Sequence, residues 1–271
     1  MSPNQKISLA EFDLHQSEKY VLSINLKIDG LSFIIIDDQK ILFAESYIWQ
    51  AKNWDFATEQ FSEIFKSQEF FNARYSKVTA IVKHSDSTLI PNVYFDKSKQ
   101  QSALEAYLGR KDFTAYAHAL KHEKAMLVFA INLNLEKLLK SCFNSIEIRH
   151  QSALLIDEEL ERAQHDAIIA LHISPLSFEV IGIRAKRLLA HNNFLFQSVE
   201  EFMFLLLSFV QQNNFKTESL QLNISGNIMM DSKIGQNLKR FFPNIVQDKS
   251  SESNKDAVFN ELKNLTLLAN S

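Results

Sequence analysis

His118 and His122 lie four residues apart. On a helix that spacing turns both imidazoles to one face, as two ligands of one zinc ion must be, and Ala115 to His122 is predicted helical. The metalloprotease pattern also needs a Glu directly after the first His. Ala119 stands there, and a third ligand would have to come from Glu123 or from elsewhere in the chain, so no metal is expected. Cys142 is the single cysteine, which excludes an internal disulfide framework. A thiol nucleophile needs a lowered pKa and a base within reach. Lys140 is the only basic neighbour in that stretch, and Leu138, Leu139 and Phe143 surround the thiol, which predicts a buried small hydrophobe. Asp37-Asp38 with Asp29 could supply paired carboxylates for acid–base work. Each falls at a predicted turn, where Asp stabilises the backbone by its own hydrogen bonds. Lys186-Arg187 and Lys239-Arg240 are isolated basic pairs, too few for a nucleic-acid track. No catalytic residue is assigned.

The elements that must carry these residues form a repeated pattern. Leu26-x-Ile28-x-x-Leu31-Ser32-Phe33-x-x-Ile36 recurs as Leu171-x-Ile173-x-x-Leu176-Ser177-Phe178-x-x-Ile181. Before it, Tyr20 to Ile28 alternates apolar and polar residues as a strand does. Asp29-Gly30 signals a hairpin, Leu31 to Ile36 returns, and Lys40 to Ile48 forms a third strand. Trp54, Phe61, Ile64 and Phe65 give a helix over Asp55 to Phe71. Val78 to Val82 is a fourth strand and Lys97 to Leu108 a second helix. Ala125 to Ile131 is a buried strand, Leu135 to Phe143 a helix, and Ile146 to Arg149 a strand. Ser152 to Gln164 carries the acidic stretch Asp157-Glu158-Glu159, expected on a solvated helix face. From Ala167 the order returns. Strands are predicted over 168–173, 178–183 and 188–196, a helix over 198–211, a strand at Leu220 to Ile224 and a helix over 232–242. Gln247 to Asp256 is polar and predicted to be a loop, and Val258 to Leu268 a closing helix. An ordered repeat of this kind specifies architecture before any local assignment does. The fold class expected is α/β, two tandem βββαβα lobes related by internal duplication: 1–165 with connecting helices, and 166–271 with the C-terminal helix.

With 271 residues the chain is long enough for two compact units. A net charge of −3, with 29 Lys and Arg scattered along the chain, offers no basic field for nucleic acid. The segment Met1 to Leu14 has no apolar core of signal-peptide length. The most apolar run, Phe202 to Val210, is far short of the ~20 residues of a membrane span. A reducing cytoplasm fits the single cysteine. The 22 Phe are expected in the core. There are only 5 glycines, and the repeated hairpins are nearly free of them.

Two tandem βββαβα units resemble the actin-like (RNase H-like) ATPase fold of actin, the heat-shock-70 chaperones and the sugar kinases. The whole chain also resembles a Bacteroidetes family of that fold, a domain of unknown function. The residues that carry the likeness are Ser23-Ile24-Asn25-Leu26, Asp29-Gly30-Leu31-Ser32-Phe33 and Leu176-Ser177-Phe178-Glu179-Val180. In ATPases of this fold the resemblance implies a nucleotide between the lobes. It sits on two glycine-rich phosphate hairpins, with a first-strand carboxylate in each lobe helping to hold Mg²⁺. The corresponding places here are Asn25 and Lys27 in the first lobe, and His172 and Ser174, followed by Pro175, in the second. The paired glycines after strand four become Ser225-Gly226. Asn lacks the charge, Lys27 fills space that a phosphate loop leaves bare, and Pro175 has no N–H to donate. The expectation is therefore a pseudo-ATPase without cofactor, a protein-binding or scaffold protein with an unknown protein partner and a possible homodimer. The rival expectation is a divergent ATP-binding enzyme or switch that uses the inter-lobe cleft through non-standard phosphate contacts. Side chains of Lys27 and Leu176 are expected to fill the floor of any cleft.

Overall fold

The structure is a computed structural model that describes residues 2–9, 12–50, 52–83, 86–175, 177–226, 228–247 and 257–270. The chain divides into two compact units, Met1–Leu154 with Val258–Ser271, and Leu155–Ala257. Among the described residues no helix is long and apolar enough to cross a membrane.

The first unit opens with β1 (Gln5–Ser8), then β2 (Val21–Lys27), β3 (Gly30–Asp37) and β4 (Lys40–Ile48). Helix α1 (Trp54–Ser67) follows, capped by Asn53, whose side chain accepts the Phe56 N–H at 2.8 Å. A short 3-10 turn at Glu69–Asn72 ends this region, so the α-helix stops earlier than the predicted Phe71. Next comes β5 (Lys77–Val82), and β9 (Glu147–His150) completes a six-stranded sheet in the order β1-β4-β3-β2-β5-β9. Alternation along β2 sorts its two faces. Leu22, Ile24 and Leu26 are buried on one, and Ser23 and Asn25 lie on the other, also buried. Aromatic rings then fill the apolar side, with Phe33 4.8 Å from Phe71 and Phe43 4.4 Å from Phe70 between centroids.

Between β5 and β9 lies an insertion that the sequence pattern did not separate from the lobe. It comprises β6 (Ser87–Pro91), α2 (Gln100–Leu108), β7 (Phe113–Ala119) and β8 (Ala125–Asn132), followed by α3 (Leu133–Cys142). Its strands form a separate antiparallel sheet, β6-β8-β7. Leu104 of α2 packs there with Phe113, Ala115, Val128 and Ala130. The predicted second helix, which begins at Gln100 rather than Lys97, thus belongs to the insertion. The helix that packs on α1 is α3. The predicted helix over His118 and His122 is also corrected. Phe113–Ala119 pairs with β8, His118 opposite Leu127, and His122 lies beyond the strand end. Ladder pairing and period-2 burial of Phe113 and Ala115 outweigh the helix-compatible composition.

Helix α4 (Gln151–Arg162) leads into the second unit, which holds β10 (Ala167–Ile173), β11 (Ser177–Arg184), β12 (Arg187–Leu195), α5 (Val199–Gln212), β13 (Gln221–Gly226), α6 (Lys233–Phe241) and β14 (Ile245–Gln247). The sheet order is β12-β11-β10-β13-β14, the order of β4-β3-β2-β5-β9 in the first unit. Its core joins Leu171, Phe178, Phe202, Leu206, Leu222 and Leu238. The predicted polar loop keeps only Gln247 inside this description, as the end of β14, and 248–256 lie outside the described residues. Helix α7 (Ala257–Asn270) groups with the first unit, where Lys121 Nζ meets the Leu268 carbonyl at 3.3 Å. Each unit therefore includes helical residues that follow the other sheet's last strand.

The two sheets share a β-bulge, between Ile35 and Ile36 in β3 and between Gly182 and Ile183 in β11. Aligning the bulges matches Ile36 with Ile183, Asn25 with His172, Ser32 with Glu179 and Ser46 with Asn193. The repeated sequence pattern is thus displaced by two residues from the structural equivalence. A two-residue slip leaves every side chain on the same face, so the hydrophobic pattern repeats in either register.

Candidate functional site

Asn25 lies in the middle of the first sheet, between Ser32 on β3 and Ile81 on β5. One rung along the same face, Ser23 is opposite Thr79. Asn25 is 2% exposed, and Ser23 and Thr79 are fully buried. Among the described residues, Ser23 Oγ, Asn25 Oδ1 and Thr79 Oγ1 have no hydrogen-bond partner, nor do both amide heteroatoms of Gln151, the first residue of α4. Buried polar atoms are normally paired. These uncharged hydroxyls and amides suit ordered water or a neutral polar group. They contain no carboxylate for a divalent cation. The sequence reading named none of Ser23, Thr79 and Gln151 as a site position; a polar residue at an alternating strand position gives no signal that distinguishes a site from a solvated face.

Lys27, one rung beyond Asn25, pairs with Gly30 across a two-residue turn, Ile28-Asp29. The Asp-Gly pair does mark the hairpin, but Gly30 is needed for a different reason. A Cβ there would lie 2.6 Å from the Tyr47 carbonyl oxygen on β4. Trp49 closes the turn, its indole N–H donating to the Ile28 carbonyl at 2.9 Å and its main-chain N–H to the Asp29 carbonyl at 3.0 Å. This is a tight, covered hairpin with no run of glycine N–H groups.

In the second unit His172 occupies the place of Asn25. It lies opposite Glu179 on β11 and Ser225 on β13, with Nδ1 and Ser225 Oγ 3.1 Å apart. Ser225 Oγ also donates to the Leu171 carbonyl at 3.3 Å. Glu179 is fully buried, and His191 Nε2 lies 2.9 Å from its Oε1. On the next rung the Asn223 amide donates to Glu159 at 2.8 Å. The acidic stretch of α4 is therefore not simply solvated. Asp157 is buried, Glu159 is held by Asn223, and Glu158 meets Arg162 at 2.5 Å. Ser174 begins the hairpin loop, its N–H donating to the Ser177 carbonyl at 2.8 Å. Leu176, expected on a cleft floor, lies outside the described residues.

Gly226 has φ +87°, and a Cβ there would be 2.2 Å from the Ile173 carbonyl oxygen. The end of β13 thus runs so close to β10 that only glycine fits. Packing accounts for this glycine without a nucleotide. Of the six positions, Asn25 and Lys27 belong to the first unit, and His172, Ser174, Ser225 and Gly226 to the second.

The other constellations resolve structurally. Arg149 Nη1 contacts His118 Nε2, and Arg149 also pairs with Glu147. Burial pushes the His118 pKa down to about 4, and the Arg149 charge adds to the effect. A guanidinium at the ring nitrogen is incompatible with a zinc ion there. Among the described residues no group of three or more His, Cys, Asp and Glu side chains could hold a metal. Cys142 ends α3, half-buried, and Lys140 engages Glu136 at 2.6 Å. Asp38 takes φ 51° in the β3–β4 hairpin, and with Asp37 it borders a shallow, open depression beside Lys263. Lys186, φ 60°, occupies the corresponding β11–β12 turn. Lys239 and Arg240 sit in the last turn of α6, where cations favour the helix dipole.

The family model described as protein of unknown function, DUF3822, matches residues 9–245. The chain belongs to the DUF3822 family. Among solved structures, this DUF3822 member is similar to a Bacteroides thetaiotaomicron VPI-5482 protein described as having an actin-like ATPase fold and unknown function. The TM-score is 0.81 at 19% identity, over 93% of this chain and 99% of that one. It is also similar to the ethanolamine utilization protein EutJ from Carboxydothermus hydrogenoformans, with TM-score 0.51, 8% identity, and 91% and 89% coverage. A PilM-PilN type IV pilus biogenesis complex gives TM-score 0.51 and 9% identity, with 92% and 98% coverage. At these identities the likeness establishes the actin-like ATPase fold. No curated protein matches the chain.

Proposed function

We propose that this DUF3822 protein is a non-catalytic pseudo-ATPase of the cytoplasm that works by binding a protein partner. One observation carries the reading. The equivalent first-strand positions of the two units hold Asn25 and His172, 2% and 5% exposed, in place of metal-anchoring carboxylates. A nucleoside triphosphate brings a charge near −4 that must be met by Mg²⁺ and by exposed N–H groups. The hairpin beside Asn25 is tight and covered by Trp49, and the glycine at 226 is accounted for by the Ile173 backbone. That a structural neighbour is a complex of PilM with PilN is in keeping with a binding role for the fold.

Isothermal titration and thermal shift with Mg-ATP test the proposal. No binding heat and no shift are expected. A nucleotide at 100-fold its Kd would stabilise the protein by about 2.7 kcal/mol. A Kd below about 10 μM, roughly −7 kcal/mol, weakened by Lys27→Ala or Ser174→Ala, would overturn the proposal in favour of a divergent ATP-binding switch.

A further inference from the structure

The same sheet edge is treated differently in the two units. In the first, β1 runs antiparallel along β4, Gln5 opposite Ser46 and Ser8 opposite Phe43. The flanking chain continues the cover. Asn4 N–H donates to the Ser46 carbonyl at 2.7 Å, the Ile48 N–H donates to Asn4 Oδ1 at 2.7 Å, and Leu9 N–H donates to the Leu42 carbonyl at 2.9 Å. The outward main-chain groups of β4 are therefore those of Leu42, Ala44, Ser46 and Ile48, alternating as an antiparallel ladder requires. All residues from Leu42 to Tyr47 are buried.

β12 is the counterpart of β4. Among the described residues no strand lies on its outer side, and none of its 9 residues is buried. The shared bulge carries the outward positions to Leu189, His191, Asn193 and Leu195. Asn193 agrees with this phase, since its N–H donates to the side chain of Asn192 at 2.8 Å rather than to the neighbouring strand. Leu189 and Leu195 are 47% and 75% exposed. Proteins blunt open edges with Lys, Pro or other charges. From Leu188 to Leu195 β12 has no Lys, Arg, Pro, Asp or Glu; its one blunting feature is the bulge at Leu189.

We propose that β12 pairs edge to edge and antiparallel with β12 of a second copy, about a two-fold axis through Asn192. The order Leu189-Ala190-His191-Asn192-Asn193-Phe194-Leu195 is palindromic in character, apolar at both ends and polar at the centre. The axis sets Leu189 against Leu195 of the partner subunit, Ala190 against Phe194 of the partner subunit, and His191 against Asn193 of the partner subunit. Outward main-chain groups then meet outward groups, which a two-fold between residues would not allow. No like charges meet, because His191 is turned to Glu179 within its own chain at 2.9 Å. The site filled by β1 in the first unit corresponds to Ala190–Asn193, so the surface that accepts a strand in one half is one on which no described strand lies in the other.

Sedimentation equilibrium of the full chain, from micromolar to high micromolar concentration, tests this. Wild type is expected to be a dimer. L189K/L195K sets Lys against Lys twice and is expected to be monomeric. L189E/L195K alters the same two positions but sets Glu against Lys, and it is expected to restore the dimer, with circular dichroism checking that both variants fold. Asn193→Pro removes an outward donor that β11 does not use, and is expected to weaken the dimer without lowering the monomer's Tm. A wild type that stays monomeric throughout, whether or not its edge captures a strand of another protein, overturns the proposal. So does a dimer indifferent to both charge variants.

Discussion

Gly226→Val isolates what the glycine after the fourth strand of the second unit is for. Gly226 pairs with Ile173 at the last rung of the β10–β13 ladder, with φ +87°. Placing an L side chain in left-handed backbone costs about 1–2 kcal/mol. The added Cβ would also lie 2.2 Å from the Ile173 carbonyl oxygen and 2.9 Å from its nitrogen. Both are main-chain atoms, so no rotamer relieves the clash and the rung must open. The neighbouring rung, His172 opposite Ser225, would loosen with it. The total loss is about 3–5 kcal/mol, at the upper end for single substitutions and a large part of the ~5–15 kcal/mol that holds a typical domain. Urea unfolding would show it as a lower midpoint at constant m. Gly226→Ala should lose nearly as much, because Cβ is the atom that collides. Nucleotide should change neither result. A Val variant within about 1 kcal/mol of wild type would refute the packing explanation and leave ligand contact as the reason for the glycine.

His118 should give the stability curve a slope in mild acid. Its folded pKa of about 4 lies below the ordinary 6.5, so the folded state binds the proton less readily than the unfolded chain. The contribution is present above the unfolded pKa and is lost as pH falls from 6.5 toward 4, amounting to at most about 3 kcal/mol. His118→Phe should flatten the urea stability profile in that window, and an unchanged slope would count against the assignment. Glu136 and Glu147 act lower. Burial opposes their ionisation, but hydrogen bonds from Lys140 and from Lys77 respectively hold each below 4.5, so their contributions disappear only as pH falls beneath that value. Asn25→Asp should fail to create a metal site. A carboxylate at this buried position, without a partner for the Oδ1 already there, should cost about 2–4 kcal/mol at neutral pH or take up a proton, with stability recovering as pH falls. Mg-dependent ATP binding gained by that single change would refute the pseudo-ATPase proposal.

Element types in the two lobes were legible because burial follows period. The alternation of Leu22, Ile24 and Leu26, and the helical spacing of Phe61, Ile64 and Phe65, match what is buried. Register was not legible. The patterns at Leu26 and Leu171 align two residues away from the shared bulge, and period-2 alternation cannot detect an even slip. The insertion was missed for a related reason. Thr114, Tyr116 and His118 alternate with alanines, a composition that serves helix and strand alike, and pairing with β8 decides the matter. Of the candidate positions, the bulge alignment makes Asn25 and His172 equivalent, and the parallel ladder puts Ser225 beside His172; the repeated sequence pattern taken alone would set Asn25 against Ala170. The unpartnered Ser23, Thr79 and Gln151 were invisible, because lack of a partner is a property of three-dimensional surroundings.

Equivalent rows of the two sheets have diverged in opposite directions. In the first unit Ser46, Ser32 and Asn25 form a neutral row, and the outer edge beyond it is closed by β1. In the second unit Asn193, Glu179, His172 and Ser225 form a row with ionisable members, and these are engaged at home: Glu179 with His191 at 2.9 Å and His172 with Ser225 at 3.1 Å. A buried carboxylate already held by an imidazole is a poor anchor for a hydrated metal, since leaving that partner would forfeit the contact that offsets its burial. The same row ends at a strand on whose outer side no described strand lies, with Asn193 resting on its neighbour's side chain. Side-chain chemistry in this unit is turned inward, and its main-chain chemistry is turned outward. That division favours recognition of another strand over recognition of a phosphate.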